Sequence, residues 1–189
     1  MRKMLVVIDM QNDFIDGSLG TPEAVAIVEN VKSKIREYDP VNVRFTQDTH
    51  ETNYLTTQEG RNLPVEHCIR GTAGWEIRED VWAEVADFED EKCRVYEENH
   101  LTYNPTYEKP TFGSVELAEA LRGLLKDEDI EIEIVGLCTD ICVISNALLL
   151  KAYMPEVKIT VDSSCCAGVT PASHEAALET MKMCQINVI

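Results

Sequence analysis

The sequence has few basic residues and no long apolar run, and both deficits limit what the chain does. It carries 17 lysines and arginines against 34 aspartates and glutamates, which gives a formal net charge of −17. Proteins that bind nucleic acids or anionic membranes need a basic surface, so neither partner is expected. No stretch approaches the roughly 18 apolar residues of a membrane span. The acidic excess is otherwise typical of a solvated surface and does not indicate a substrate.

Signals for secretion and for disulfides are also missing. The apolar stretch after the basic pair at the amino terminus is only five residues long, shorter than the roughly 7–15 residues of a signal-peptide core. The seven cysteines are odd in number and form no CxxC pair, which favours thiols over disulfides. We therefore predict a cytoplasmic protein with reduced cysteines.

Nucleotide-binding motifs are absent as well. The sequence contains no P-loop, and its first predicted strand is followed by DMQNDF rather than by the GxGxxG of dinucleotide-binding folds. The GTAG segment at 71–74 indicates only a turn. A dinucleotide-dependent activity is therefore not favoured.

Strand and helix patterns alternate along the chain. The short, nearly continuous apolar run at 4–10 is typical of a strand buried on both faces, and apolar positions from Ala24 to Tyr38 recur with helical spacing. Alternation of this kind predicts a parallel sheet with helices on both faces. We predict one α/β domain over residues 1–189, a three-layer sandwich around a six-stranded, mainly parallel sheet of Rossmann-like order 3-2-1-4-5-6. The strands are expected at 4–10, 41–46, 92–99, 130–137, 157–163 and 185–189.

Two segments interrupt this alternation. Residues from about 47 to 74 are rich in Thr, Asn, Gly and Pro and show no period, and loops of this length in a compact domain are usually functional or disordered. Residues from about 93 to 108 are predicted to add a hairpin.

Three polar side chains are expected beyond the carboxyl ends of the strands, where such folds bind ligands. Asp9 ends the first strand, Lys109 precedes a capped helix, and Cys142 begins a helix after the strand at 130–137. A helix N-terminus lowers the pKa of a thiol and favours the reactive thiolate. Each residue alone also has an ordinary interpretation, as a turn residue, a solvated lysine or a small buried cysteine. Together they supply an acid or base, a cation and a nucleophile at one edge of the sheet.

A second candidate site lies in the long loop. Asp48 and His50 are followed by Glu59 and His67, and imidazoles with carboxylates suit zinc or another transition metal. The spacing is not a standard zinc motif, and loop histidines are usually just exposed. The residues by themselves therefore leave metal binding and simple exposure open.

Five segments resemble the isochorismatase-like cysteine hydrolases and, within them, the nicotinamidases. In the family's order they are LVVIDMQNDF (5–14), TQDTH (46–50), LPVEHC (63–68), EKPTFGS (108–114) and VGLCTDICV (135–143).

The resemblance implies a catalytic triad of Asp9, Lys109 and Cys142, in which the cysteine attacks a carboxamide carbon and the aspartate moves the proton. It also implies a cis peptide bond between Leu137 and Cys138. The backbone N–H groups of Cys138 and Cys142 would then form the oxyanion hole.

The nicotinamidase branch also implies a metal centre. Asp48, His50 and His67 match its metal ligands, and Glu59 matches a carboxylate seen in some members. Zinc is expected, with manganese or iron as alternatives. The metal would hold the pyridine nitrogen of nicotinamide, and Phe14 matches the aromatic wall of the substrate pocket.

The chain departs from the branch at one place. Many nicotinamidases have Trp or Phe just ahead of the second metal histidine, whereas this chain has no aromatic residue at 62–66. Leu63 or Pro64 would supply an apolar wall there, and Trp75 or a tyrosine of the 103–107 stretch would supply the aromatic surface. Nicotinamide hydrolysis, hydrolysis of a carbamoyl or ureido amide, and ligand binding without catalysis therefore stay open. The family also implies a homo-oligomer.

Overall fold

The computed structural model describes residues 1–86 and 105–189, whose strands form one parallel sheet. Each neighbouring pair in the order β3-β2-β1-β4-β5-β6 runs parallel. The predicted α/β class and the strand order 3-2-1-4-5-6 are therefore confirmed. The strands are β1 (Arg2–Ile8), β2 (Val43–Asp48), β3 (Thr106–Lys109), β4 (Ile130–Leu137), β5 (Lys158–Ala167) and β6 (Asn187–Val188).

Helices connect the strands, and several begin where the sequence places a cap. The hydroxyls of Thr21, Ser114 and Thr170 each accept a hydrogen bond from the backbone N–H three residues later, as is typical of N-cap residues. A π-helical turn at Thr139–Val143 follows β4. The α-helices are α1 (Asn12–Ile15), α2 (Pro22–Ala26), α3 (Val28–Ile35), α4 (Gln58–Asn62), α5 (Glu79–Ala86), α6 (Val115–Leu124), α7 (Ile144–Tyr153) and α8 (Pro171–Met183).

Both faces of β1 are covered, which explains its continuous apolar run. Met4, Val6 and Ile8 belong to a core formed with α6, α7 and α8. Leu5 and Val7 point to the opposite face and belong to a core formed with α2, α3 and α5. Because successive side chains of a strand alternate between faces, a strand between two helical layers needs apolar residues at every position.

The third strand lies later in the chain than predicted. The strand expected at 92–99 and most of the hairpin expected at about 93–108 lie outside the described residues. The edge position of the sheet is occupied instead by β3, which pairs parallel with β2. Tyr107 and Lys109 are buried and Glu108 is exposed, so this four-residue edge strand has no apolar run that would reveal it. The hairpin and the single-domain organisation stay predictions.

None of the helices in the described residues is long and apolar enough to cross a membrane. Six of the seven cysteines lie in this part of the chain, and all six are free thiols. The cytoplasmic location and the homo-oligomer stay predictions.

Gly136 allows β1 and β4 to approach closely just before the candidate site. Its φ is +114°, a backbone conformation that side-chain-bearing residues rarely adopt. A Cβ atom at this position would lie 2.1 Å from the carbonyl oxygen of Ile8, its partner across the ladder. The position therefore requires glycine for both conformation and space.

We expect Gly136→Ala to lower the free energy of unfolding by more than about 2 kcal/mol, because neither the backbone of Ile8 nor the positive φ accommodates a Cβ atom. Gly123→Ala in α6 is the matched control: its Cβ would meet nothing within 4 Å, and alanine should raise stability by about 0.5–1 kcal/mol. Urea unfolding of both variants measures the difference. Equal effects of the two substitutions would contradict the requirement for glycine.

Candidate active site and metal centre

The carboxyl ends of β1, β3 and β4 bring the three predicted triad residues together. Asp9 follows β1, Lys109 ends β3, and Cys142 lies in the π-helical turn after β4. The Nζ atom of Lys109 is 2.7 Å from Oδ2 of Asp9 and 3.5 Å from Sγ of Cys142. None of the three residues is more than 4% exposed. A carboxylate, an ammonium and a thiol therefore form one buried cluster.

The backbone of Asp9 turns sharply so that its carboxylate faces this cluster. Its φ is +45°, in the left-handed region that Asp tolerates better than most residues. The Asp9 N–H donates to Oγ1 of Thr46 at 3.2 Å, and the same hydroxyl donates to Oδ1 of Asp9 at 2.6 Å. Thr46 on β2 thus holds one carboxylate oxygen and leaves Oδ2 to face Lys109.

Lys109 keeps its charge although it is buried. Burial lowers the pKa of an ammonium, but the carboxylates of Asp9 and Asp48 contribute to raising the pKa of Lys109 well above its ordinary value. Burial likewise raises the pKa of Asp9, and the charge of Lys109 opposes this shift. The Asp9–Lys109 pair is therefore close to neutral as a unit, which favours its burial.

The resting thiol of Cys142 is neutral. Burial raises its pKa well above the ordinary value, and the charge of Lys109 offsets this only in part. The carboxylates of Asp9 and Asp48 and a hydrogen bond with Asp9 raise the pKa further. The predicted lowering of the thiol pKa is therefore wrong, because desolvation and two carboxylates exceed the effect of the one cation that faces the sulfur. The sulfur accepts a hydrogen bond of 3.5 Å from Nζ of Lys109.

The turn that carries Cys142 is held at both ends. The peptide bond between Leu137 and Cys138 is cis, as the family resemblance implies. The carbonyl of Cys138 accepts a hydrogen bond from the N–H of Val143 at 3.0 Å. A hydrogen bond of 2.8 Å joins the Thr139 hydroxyl to Nδ1 of His174 on α8. The oxyanion-hole role of the Cys138 and Cys142 N–H groups stays a prediction.

Four side chains of the long loop converge beside the triad. One ligand atom from each of Asp48, His50, Glu59 and His67 lies within 4.8 Å of the others. Nε2 of His50 is 3.0 Å from Oδ2 of Asp48 and 3.6 Å from Oε1 of Glu59. This nitrogen is buried and has no hydrogen-bond partner. Two imidazoles and two carboxylates that face one point fit a transition-metal ion.

Backbone contacts orient two members of this set. Nδ1 of His67 lies 2.9 Å from the carbonyl oxygen of Val65, which directs Nε2 towards the other ligands, as is usual for metal-binding histidines. The Gln11 carboxamide accepts from the Asp48 N–H at 2.7 Å and donates to the Asp48 carbonyl at 2.8 Å. The Gln11 side chain therefore satisfies both backbone groups of Asp48, as the backbone of a neighbouring strand would.

Aromatic rings surround the two histidines. Tyr54 is fully buried, and its ring centroid lies 4.6 Å from that of His50 and 5.0 Å from that of His67. Phe14 lies 5.6 Å from His67 on the same measure. The predicted aromatic wall residue is thus next to a candidate metal ligand.

The other two predicted substrate residues lie at more exposed positions. Leu63 is 38% exposed, and its carbonyl accepts a hydrogen bond from the Tyr54 hydroxyl. The indole N–H of Trp75 donates to Oγ1 of Thr49 at 2.9 Å, and the Arg70 guanidinium lies over its ring at 5.9 Å. Substrate binding by Phe14, Leu63 and Trp75 stays a prediction.

Asp48 connects the triad to the metal-ligand set. Its Oδ1 lies 3.1 Å from Nζ of Lys109, while its Oδ2 faces His50. Burial raises the pKa of Asp48, but the His50 imidazole, 3.0 Å away, and the charge of Lys109 outweigh burial and hold the pKa below its ordinary value. Asp48 is therefore ionised, with one oxygen facing the ammonium of Lys109 and the other facing His50.

Sequence reasoning missed three residues of this site. Thr46 and Tyr54 gave no signal, because hydroxyl-bearing residues in strands and loops are common. Gln11 could have been found, because a polar residue that follows a buried strand so closely is expected to be buried and hydrogen-bonded.

Known proteins are similar to this chain along almost its whole length. The model of the isochorismatase domain matches residues 3–189. An uncharacterised isochorismatase-family protein of Bacillus subtilis is 30% identical over 186 residues, which cover 94% of this chain and 93% of that protein.

Two solved structures share the fold. The nicotinamidase/pyrazinamidase of Bacillus subtilis superimposes with a TM-score of 0.73 at 26% identity, over 100% of this chain and 99% of the other. The pyrazinamidase of Pyrococcus horikoshii in complex with zinc superimposes with a TM-score of 0.72 at 25% identity, over the same shares. This chain therefore belongs to the isochorismatase family, and its sequence and fold are similar to those of nicotinamidases and pyrazinamidases.

Proposed function

We propose that the protein is a nicotinamidase, which hydrolyses nicotinamide to nicotinate and ammonia through a thioester on Cys142. The observation that carries the proposal is the position of the Lys109 ammonium. Its Nζ atom lies 3.5 Å from the Cys142 sulfur, 2.7 Å from Asp9 and 3.1 Å from Asp48. The nucleophile cluster is therefore in direct contact with Asp48, a member of the candidate metal-ligand set. Similarity to a pyrazinamidase in complex with zinc supports the same conclusion.

The first half-reaction begins from a neutral thiol. Sγ of Cys142 attacks the amide carbon while its proton passes to Asp9, and the carbonyl electrons move onto oxygen. The backbone N–H groups of Cys138 and Cys142 stabilise that oxyanion. When the carbonyl re-forms, the C–N bond breaks, and Asp9 returns the proton to the leaving nitrogen, which departs as ammonia. Lys109 stays protonated and balances the charge of Asp9 throughout.

The second half-reaction uses the same aspartate as a base. A water molecule gives a proton to Asp9 as its oxygen adds to the thioester carbon. The C–S bond then breaks, and Asp9 returns the proton to the sulfur of Cys142. The product is nicotinic acid, which loses its proton to solvent and leaves as nicotinate, and the neutral thiol is restored. A carboxylate whose pKa burial raises is suited to accept and release a proton in both halves.

Asp48, His50 and His67, with Glu59 as a fourth ligand, would hold the metal ion. Zinc is our first choice, with manganese or iron as alternatives that such donors accept. When bound, the metal supplies a Lewis-acid position for the pyridine nitrogen and so orients the carboxamide. Phe14 would form one wall of the pocket, with Leu63 and Trp75 at more exposed positions.

A related amide is the second candidate substrate. The absence of an aromatic residue at 62–66 removes the ring that would stack on a pyridine, and this favours a smaller carbamoyl or ureido amide. Ammonia release from a panel of nicotinamide, pyrazinamide, carbamoyl and ureido compounds decides between them. A protein that releases ammonia from none of these compounds, with a Cys142 that resists alkylation, would be a binding domain.

We expect Cys142→Ala to lower kcat on nicotinamide by roughly 10³-fold or more, because the nucleophile is lost. Cys184→Ala is the control, since Cys184 is exposed and lies outside the site; its kcat should match the unsubstituted protein. Ammonia and nicotinate are both measured, and the thermal midpoint checks folding. Ammonia release that survives in Cys142→Ala would exclude the thioester mechanism.

The metal site predicts a difference between two histidines. After dialysis against zinc and removal of excess, elemental analysis should find about one zinc per chain. His67→Ala should lose most of it, because a ligand nitrogen is removed. His174→Ala should retain it, since His174 contacts Thr139 rather than the ligand set. Equal zinc content in both variants would contradict the assignment.

The effect of metal removal on turnover should depend on whether the substrate has a ring nitrogen. Chelation is expected to lower kcat/KM for nicotinamide by roughly 100-fold, because the metal–pyridine contact is lost, and added zinc should restore it. Benzamide has the same carboxamide without the ring nitrogen, so its slow turnover should not change. Unchanged nicotinamide turnover in protein shown to be metal-free would exclude the orienting role.

A further inference from the structure

We infer that Asn146 is a positioning residue of the proposed catalytic site, because its carboxamide ties the turn that carries Cys142 to the chain segment that follows Lys109. This inference rests on the proposed function. Asn146 would not touch the substrate; it would act through the two residues whose distance it helps to set.

The contacts of Asn146 are complete and all go to backbone atoms. The residue is fully buried and lies on α7, four positions after Cys142. Its Nδ2 donates to the carbonyl of Cys142 at 2.8 Å and to the carbonyl of Phe112 at 3.0 Å. Its Oδ1 accepts from the N–H of Ser114 at 2.9 Å. One carboxamide therefore satisfies three buried or partly buried backbone groups from two separate segments.

The sheet does not directly pair the strands that carry Lys109 and precede Cys142. Lys109 ends β3 and Cys142 follows β4, and in the order β3-β2-β1-β4 these strands are separated by two others. No ladder hydrogen bond can therefore set the 3.5 Å distance between Nζ of Lys109 and Sγ of Cys142. The Asn146 carboxamide connects the two chain segments directly, three residues beyond Lys109 on one side and at Cys142 itself on the other.

The segment that Asn146 holds has little other support. Residues 110–112 are exposed, and Phe112 is 42% exposed although its carbonyl faces inward to Asn146. They lie between the end of β3 and the beginning of α6, outside any helix or strand. Loss of the carboxamide would leave the Phe112 carbonyl and the Ser114 N–H without this partner. We expect the segment, and with it the end of β3, to shift.

Two substitutions separate the two halves of the link. Asn146→Ala removes every contact. Asn146→Ser keeps a hydroxyl that can bond the Cys142 carbonyl, since serine in a helix commonly bonds the carbonyl four residues earlier, but it is too short to reach Phe112 and Ser114. If the link between segments matters, both variants should lower kcat on nicotinamide by roughly 10–100-fold, as expected for a displaced reacting group. KM should stay within about threefold, because the metal and ring contacts are intact.

The matched control is Asn30→Ala. Asn30 on α3 also bridges two elements, because its carboxamide donates to the carbonyl of Ser164 on β5 at 2.8 Å. Neither residue belongs to a segment that carries a triad residue. Its kcat should equal that of the unsubstituted protein at a temperature where all variants are folded. If Asn146→Ser retains full kcat, or if KM rises while kcat is unchanged, the positioning role is overturned. If Asn146→Ala does not fold, Asn146→Ser decides the question.

A second measurement keeps this inference separate from the proposed substrate. Iodoacetamide labelling followed by peptide mass spectrometry reports the reactivity of Cys142 whether or not nicotinamide is hydrolysed. Asn146→Ala and Asn146→Ser should slow labelling of Cys142 at least fivefold, because the ammonium of Lys109 is no longer held beside the sulfur, while labelling of exposed Cys184 stays the same. Unchanged or faster labelling of Cys142 overturns the inference. Absence of nicotinamide turnover in the unsubstituted protein overturns the proposed function and leaves the labelling result to decide this one.

Discussion

The buried ammonium of Lys109 is the interaction on which the site depends. Two carboxylates and a thiol face it in a nearly water-free cluster, and a buried charge without a partner costs several kcal/mol. Lys109 lies 2.7 Å from Asp9 and 3.1 Å from Asp48, so one cation faces two anions. The same arrangement leaves the second oxygen of Asp48 free to face His50. Asp48 therefore takes part both in the charge balance around Lys109 and in the set of candidate metal ligands.

The parallel sheet brings the members of this cluster together, although they are spread over much of a chain of 189 residues. Asp9, Asp48, Lys109 and Cys142 each lie at or just beyond the end of a different strand, and parallel strands deliver their carboxyl ends to one edge. The close packing of β1 against β4 at Gly136 brings the first and last of these ends together. Side-chain carboxamides then complete the site: Gln11 holds the backbone of Asp48, and Asn146 links the Cys142 turn to the segment after Lys109.

Much of the fold could be predicted because its signals are local. The apolar run of β1 and the capping hydroxyls of Thr21, Ser114 and Thr170 depend on neighbours within a few residues. The strand β3 could not be predicted, because four residues at a sheet edge, three of them polar, carry no periodic signal. In the site, the motifs that resemble the family pointed to the residues that the structure brings together. Thr46 and Tyr54 could not be found in this way, since they act through contacts with distant segments.

The sequence by itself determined which reactive groups the chain has, the order in which they occur and the strands that Asp9 and Cys142 follow, because those properties follow from residue identity and short-range periodicity. Only the tertiary structure decided their chemical state. The thiol of Cys142 is neutral although a helix N-terminus and a lysine adjoin it, because burial and the carboxylates of Asp9 and Asp48 together shift its pKa upward. Desolvation and the charges of groups from four separate strands add up at one point in space, and no local pattern contains that sum.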